Sequence, residues 1–459
     1  MKIINYRVLQ GFRNFVGIKQ NHFLVAMLVL FGTSALAQQN KIWTLQECVD
    51  YALENNITVQ QARNTLLINE QDIKGAKGNF LPSLGANVGH GLTLGNAEIF
   101  EGQFVDRTSN NTNIGINVNQ TIFNGFRNSY LFKQSQLNLE TNQLELERIK
   151  DDISLNVANA YLNVLFNRER LETAKAQLDF SIKLLKQVND LVDAGVQPRA
   201  NVFDAKATLA TDEQRVTIAE NNYTLSLLSL SQLLQIPFQG FNVAIIEVDR
   251  PSAALMYDDI STILNYALEN RNEIKVAKKN IENAELSTEI SKSGYFPTVS
   301  FNYGFGSNVF YTNLRDTEDT FFNQLNDQKS QSFSLNVNIP IFSRFQNKTA
   351  VAKSKIREAN SKLQLDQTKL TLESNIQRAF TDAQAALKAY IASQKSLESQ
   401  DLAFNNSQER YNLGAMNSFD LEQARIRLIN AESSLINAKY DFVFKTKVLD
   451  FYLGKTITL

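Results

Sequence analysis

The hydrophobic positions of this chain change period along its length, and the changes come in a recurring order. After Thr44, the residues Val49, Ala52, Leu53 and Ile57 fall at helical spacing. Thr44-Leu-Gln-Glu47 is a capping-box pattern, in which a hydroxyl and a carboxylate satisfy each other's free amides. A helix is predicted from Thr44 to about Asn79, broken at Leu81-Pro82 because the residue before proline is pushed out of helical geometry. The period then becomes two. Leu84, Ala86, Val88, His90, Leu92 and Leu94 alternate with Gly85, Asn87, Gly89, Gly91, Thr93 and Gly95. Ile114, Ile116, Val118 and Ile122 alternate with Gly115, Asn117, Asn119 and Thr121, so a β-hairpin is predicted over about 83–123. From about Asn128 to Asp193 there is neither proline nor glycine. Apolar residues there recur seven apart, as in Leu137/Leu144, Leu139/Leu146 and Leu171/Leu178/Leu185/Val192, the spacing of packed long helices. Such a helix is about 100 Å long, more than an ordinary globular domain holds. A turn and a helix of half that length, about 198–235, follow.

The same order is then written again. Tyr51-Ala-Leu-Glu-Asn55 recurs 215 positions later as Tyr266-Ala-Leu-Glu-Asn270, and Pro82 as Pro297. From Ile116-Asn-Val-Asn119, matched by Leu335-Asn-Val-Asn338, the offset is 219, and it holds for Gly195 with Gly414 and for Ala205-Lys206 with Ala424-Arg425. A variable loop is expected where the offset changes. Two tandem repeats are therefore read, 38–250 and 251–459. The second holds a helix over about Asp259–Lys292, a hairpin over about 297–342, a long helix over about 347–413 and a helix over about 417–452. Its long helix carries the heptad stripe Ile356/Leu363/Leu370. Two half-length helices stacked end to end match one long helix. The irregular segments Ile236–Pro251 and Leu453–Leu459 then fall at mid-height, where a belt is expected.

The strand chemistry is unusual. In the second hairpin Val299, Phe301, Tyr303 and Phe305 oppose Ser300, Asn302, Gly304 and Gly306. Phe333, Leu335, Val337, Ile339 and Ile341 oppose Ser332, Ser334, Asn336 and Asn338. Strands of about ten residues cross a bilayer at a tilt. A soluble sheet usually carries Lys and Glu on its wet face. Here that face is small or uncharged, which suggests a hydrated lumen lined by Asn87, Asn117, Asn119, Ser300, Asn302, Asn336 and Asn338. Phe80, Phe123, Phe296, Phe310, Tyr311 and Phe342 lie near strand ends, where interfacial aromatics are expected. Four strands cannot close a barrel, and an open edge cannot face lipid. Barrels of about eight strands are filled by their own side chains. An open pore therefore favours three copies, pooling twelve strands. The segments from about Asn96 to Asn111 and Asn308 to Gln331 are expected to be polar loops outside the cell, with Phe310, Tyr311, Phe321 and Phe322 candidates to fold over the pore mouth.

Composition narrows the function. Residues 1–37 form a signal-peptide pattern: Lys2, Arg7, Arg13 and Lys19, an apolar run from Phe23 to Phe31, then Ala35-Leu-Ala37. Four of the 46 basic residues leave with that leader, against 47 acidic ones, so the mature chain is mildly acidic and unsuited to nucleic acid. Cys48 stands alone, and Gln38, not cysteine, follows the cleavage pattern, so neither a disulfide framework nor a lipidated N-terminus is expected. His90 is the one histidine beyond the leader and cannot by itself build a metal or nucleophile site. No phosphate loop or nucleophile motif is present, so neither an enzyme nor a cofactor is expected.

The duplicated helix–hairpin–helix plan, Thr44-Leu45 with Ala52-Leu-Glu-Asn-Asn56, Gly125 after Ile122-Phe123, and Arg410-Tyr-Asn-Leu-Gly414 with Asp420-Leu421 and Ala424 together resemble the TolC family of outer-membrane efflux proteins. The resemblance covers about residues 42–455. It implies a mainly α fold with transmembrane β: a trimeric 12-stranded barrel in the outer membrane, four strands per protomer, continuous with an α-helical barrel across the periplasm. It also implies a passive duct for efflux or type I secretion, docked at its tip by a periplasmic adaptor and served by an inner-membrane transporter. The turns at Ala194–Pro198 and Leu413–Met416 would be the tips, with Gly195 and Gly414 allowing the chain reversal. In the family an aspartate ring with tyrosine and arginine contacts closes the tip. Tyr411 and Asp420 match by position, whereas Met416 stands where an arginine and Gln423 where a second aspartate would be expected, implying a differently wired gate. A solvated helix-start carboxylate is the competing role for Asp420. The alternative for the whole chain is a periplasmic coiled-coil adaptor or structural protein.

Overall fold

The computed structural model describes residues 41–245, 257, 259–315 and 319–455. The leader, residues 246–251 of the first expected belt segment and residues 456–459 of the second lie outside the described residues. Four helices form the long axis. Helices α3 (Arg127–Asp193) and α8 (Gln346–Asn412) span 67 residues each, and α4 (Ala200–Leu234) and α9 (Ser418–Tyr452) span 35 each. At 1.5 Å per residue the long pair is about 100 Å and the shorter pair about half that. Helix α4 packs along α3 and α9 along α8 over their tip-side halves. The sheet-side halves of α3 and α8 are accompanied by α1 (Leu45–Asn55) with α2 (Ile57–Gly78) and by α5 (Ile260–Asn270) with α6 (Asn272–Lys292).

Thr44 caps α1 by the expected box: its hydroxyl accepts from Glu47 N, and Glu47 Oε2 accepts from Thr44 N at 2.9 Å. The helices predicted over Thr44–Asn79 and Asp259–Lys292 are each broken once. Asn56 is extended (φ −60°, ψ 132°), and its side chain caps the next segment by accepting from Thr58 N at 2.9 Å. Arg271 repeats the break at φ −65°, ψ 137°. Its buried guanidinium lies 4.1 Å over the Phe451 ring and reaches Asp151 and Glu273. Periodicity continues through both breaks because each costs only one extended residue.

The principal core sits at mid-height, where Leu45, Cys48, Ala52, Val157, Tyr161, Leu230 and Leu234 pack together. It is sealed by a short parallel pair, β1 (Ile42–Trp43) with β4 (Asn242–Val243). Tyr161 donates to Ala244 O at 2.7 Å, tying that pair to the long helix. Desolvation pushes the Cys48 thiol up to about 12, so it acts as a small apolar filler.

At the far end of the long helices lies one antiparallel sheet in the order β2-β3-β5-β6: β2 (Ser83–Phe100), β3 (Gln103–Asn124), β5 (Thr298–Thr312) and β6 (Ser330–Asn338). The predicted loop over 96–111 is instead strand. Leu94 pairs with Thr108 and Ala97 with Val105, and the hairpin turns at Glu101-Gly102, where Gly102 has φ +78°. Most of its side chains are polar, but backbone pairing needs no apolar side chain, so the ribbon continues beyond the alternating part. The expected loop from Asn308 also begins as strand, through Thr312, and then carries helix α7 (Phe321–Asp327). Ile122 was expected on the apolar face of β3. A register shift between Thr121 and Phe123 puts Phe123 opposite Val299 instead. Strand β6 stops at Asn338, short of the predicted Ile341. Pro340 follows two residues on and has no N–H for a ladder.

Each long helix leaves the sheet through two successive left-handed residues, Gly125-Phe126 (φ +66°, +65°) and Arg344-Phe345 (φ +49°, +61°). A Cβ on Gly125 would stand 2.6 Å from Ser293 O and 2.8 Å from Phe296 Cβ, so this exit needs glycine twice over. Gly125→Ala is expected to lower the yield of folded protein and its unfolding temperature. Arg344→Gly, which relieves left-handed strain at the equivalent corner, should leave both unchanged or raise them. An unchanged Gly125→Ala variant would show that this corner is not limiting, and a loss in Arg344→Gly would contradict the strain argument.

Candidate functional site

Two regions carry what the chain can do: the faces of the sheet and the turns at the opposite end. Cross-strand register aligns the expected rows. Leu84, Val118, Tyr303 and Phe333 form one row, with Tyr303 and Phe333 ring centroids 4.9 Å apart. On the opposite face Gly85, Asn117, Gly304 and Ser332 form the adjacent row, and Ser83, Asn119, Asn302 and Ser334 the next. Asn87, Ser300, Asn336 and Asn338 fall on the same polar face, and Asn117 Nδ2 donates to Asn87 Oδ1 at 2.8 Å. Over these rows one face is apolar and the other small or uncharged polar; further along the strands Asn110, Thr112 and Gln331 interrupt the first face and Arg107 the second. His90 bonds Thr112 across the hairpin at 2.9 Å. Among the described residues no helix is long and apolar enough to cross a membrane, and no group of three or more metal-ligating side chains converges.

At the tip, Gly195 and Gly414 both sit at φ +73° and close matching turns. Val196 N reaches back to Leu191 O at 2.9 Å, and Ala415 N to Arg410 O at 2.8 Å. Tyr411 is buried with Phe404, Leu421 and Ala424, and Met416 packs against this cluster. Gln197 Nε2 donates to Tyr411 Oη at 3.2 Å, linking the α3–α4 turn to the end of α8. Asp420 is not brought to Tyr411 by any hydrogen bond. Its N–H donates to Asn417 Oδ1 at 2.8 Å and its Oδ2 accepts from Asn417 Nδ2 at 2.9 Å, a helix-start carboxylate locked to its own cap. Gly195, Gly414, Tyr411 and Asp420 thus share one end of the molecule, but only Tyr411 bridges the two turns among these four.

Sequence reasoning missed the strongest electrostatic feature near this end. Arg425 on α9 is 4% exposed and Asp212 on α4 is 0% exposed. Arg425 Nη2 donates to Asp212 Oδ2 at 2.8 Å and Nη1 to Ser181 Oγ of α3 at 3.0 Å, while Ser181 Oγ donates to Asp212 at 2.5 Å. Arg215 and Glu422 complete the cluster at its rim, 2.8 Å from Asp212 and 3.0 Å from Arg425. The guanidinium lies 5.6 Å over the Phe180 ring. Three helices from both helical hairpins are thereby tied by one buried ion pair. A signal existed: at the 219-residue offset Asp212 corresponds to Ala431, a buried alanine, so a charge occupies a core position in one copy only.

These features define a class: a long helical shaft carrying, at one end, a sheet with one apolar and one polar face. Residues 48–234 and 263–455 match the outer membrane efflux protein family, and the chain belongs to that family. It is 20% identical to outer membrane protein TolC of Vibrio cholerae, over 93% of this chain and 95% of that one. It is likewise 20% identical to the outer membrane efflux protein BepC of Brucella suis, over 93% and 88%. The fold is shared with CusC at a TM-score of 0.75 and 16% identity, covering 90% of this chain and 92% of that chain. It is shared with VceC from Vibrio cholerae at 0.72 and 16%, covering 90% and 97%. The protein is an outer-membrane exit duct for efflux or secretion that extends into the periplasm, a channel family and not an enzyme family. The adaptor alternative is set aside by this assignment.

Removing one partner of a buried pair leaves the other charge unsolvated, at a cost of roughly 3–5 kcal/mol. Asp212→Ala should therefore raise the protease sensitivity of the tip turns and lower the unfolding temperature of the extracted protein. Pairing Asp212→Leu with Arg425→Met should recover most of both. Additive losses in the double variant would contradict the coupling.

Proposed function

We propose that three copies pool their strands into one closed twelve-stranded barrel, with the polar face inward as a hydrated lumen and the apolar face toward lipid. The protomer would consist of two tandem repeats, a reading supported by the equal helix lengths in its two halves. The carrying observation is the pair of open sheet edges: β2 and β6 each have one strand neighbour and one bare side. Each unpaired backbone group in hydrocarbon costs several kcal/mol, so the edges need partners before the sheet can sit in a bilayer. The heptad stripe of α8 supports the same reading. Ile356, Leu363 and Leu370 are 62%, 66% and 60% exposed in the single chain, an apolar seam without an intramolecular partner. In the lumen Asn87, Asn117, Asn119, Ser300, Asn302, Asn336 and Asn338 offer hydrogen bonds without net charge, a lining permissive to varied cargo. At the other end the turns at Gly195 and Gly414 would narrow the tunnel and present the docking surface for a periplasmic adaptor, which joins the duct to an inner-membrane transporter. Met416, packed in the Tyr411 cluster, leaves the tip without the expected arginine, so Tyr411 with Gln197 would take the larger share of closure and Asp420 the role of anchoring the helix cap Asn417.

Native mass spectrometry and electron microscopy of the detergent-extracted mature protein should give three chains in a threefold cylinder with a long helical tail. A monomer, or release from membranes without detergent, would sink the barrel reading. Tyr411→Phe keeps the ring packing and deletes the bond to Gln197, worth about 1 kcal/mol. Single-channel recording in planar bilayers should show more frequent opening than the parent. An unchanged record would reduce Tyr411 to a packing residue.

A further inference from the structure

Strand β6 is too short for the edge it must meet. It has 9 residues, whereas β2 has 18, and β5 runs on to Thr312, beyond Gly306, its last partner in β6. Past Gly306 the place of β6 beside β5 is taken by α7. Phe310 N donates to Gln324 Oε1 at 2.9 Å, so a side-chain amide satisfies an edge group that a strand would otherwise pair. Ser307 Oγ donates to Leu325 O at 2.6 Å, Tyr311 Oη donates to Asp319 O at 3.2 Å, and both Gln324 and Val309 are buried at this junction. The helix is therefore a fixed surrogate for the missing half of β6.

We propose that α7 of one copy also closes the outer half of the seam between copies, seating against the outer part of β2, from about Leu94 to Phe100, on the next copy. This rests on the trimer reading above. Going round the barrel, the element beyond β6 is the neighbour's β2, and nine residues of β6 cover about half of that strand's bare edge. What remains must face the segment that precedes β6, which is α7. The exposed apolar groups on the two sides match. Phe322 of α7 is 76% exposed with its ring edge-on to Phe321, and Leu94 and Phe100 of β2 are 70% and 71% exposed. Asn323, Asn326 and Asp327 keep α7 polar, which sets this contact in water beyond the hydrocarbon, where a side-chain cap can serve in place of a strand.

The test is disulfide cross-linking of the full mature chain in its outer membrane, in a Cys48→Ser background. Phe322→Cys is combined with Leu94→Cys, with Phe100→Cys, or with Leu84→Cys at the far end of β2. Copper-phenanthroline oxidation should convert the first or second pair to covalent dimers and trimers at least tenfold more than the Leu84 control. Native mass is read on the same samples. A trimer that cross-links no better than the control overturns the α7 contact and leaves the barrel standing, whereas absence of the trimer overturns the reading beneath it. As a second measurement without cysteines, Phe322→Asp should lower the temperature at which the trimer dissociates in detergent, and an unchanged temperature counts against the contact.

Discussion

A backbone amide placed in hydrocarbon has only another backbone group or a protein side chain to bond, and the rest of this molecule follows from that restriction. The sheet has four strands, one apolar face and two bare edges. In water such edges would be a hazard for uncontrolled pairing, and in lipid they would be prohibitive. On the twelve-stranded reading proposed above, the edges are the two halves of an interface between copies, set by the backbone before any side chain is considered. Strand register then aligns Leu84, Val118, Tyr303 and Phe333 on one side and small or amide side chains on the other. Faces of opposite character are what a wall between lipid and water requires.

The helical part answers a different requirement, that of length. Sixty-seven residues without a break carry α3 and α8 from the sheet to the tip, and the half-length helices fill in beside them. Such a structure has little depth, so its cores are local: one at mid-height around Tyr161 and Leu230, a small one at the tip around Tyr411. Between long helices with so little buried surface, orientation is set by specific ties. The Arg425–Asp212–Ser181 cluster is such a tie, drawing α3, α4 and α9 together where the hairpins must keep a fixed spacing. The Tyr411–Gln197 bond is a weaker one nearer the turns. A strong joint above a weak one would let the tip move without the shaft coming apart.

Much of this was readable along the chain, and the reason is that the signals are local and periodic. Helix lengths came from runs free of proline and glycine, strand faces from two-residue alternation, and the turns from glycines that the chain reversal demands at Gly195 and Gly414. The Thr44–Glu47 box needed only four residues to be recognised. Where the reading failed, the deciding partner was distant in sequence or was backbone. The breaks at Asn56 and Arg271 are fixed by Thr58, Asp151 and Phe451, and periodicity passes through them undisturbed. The ribbon over 96–111 is strand because its backbone pairs, a fact its polar side chains do not advertise.

The sequence by itself thus determined the principal helices with their lengths, the alternating strands and the chemical character of each sheet face, because each is a property of neighbours a few residues apart. Only the tertiary structure decided that Asp212 meets Arg425 across 213 positions, that the Asp420 carboxylate is spent on holding its helix's own cap, Asn417, and that α7 replaces the upper part of β6. Those are choices among many possible long-range partners. A charge at a core position says that some partner must exist, but geometry alone says which.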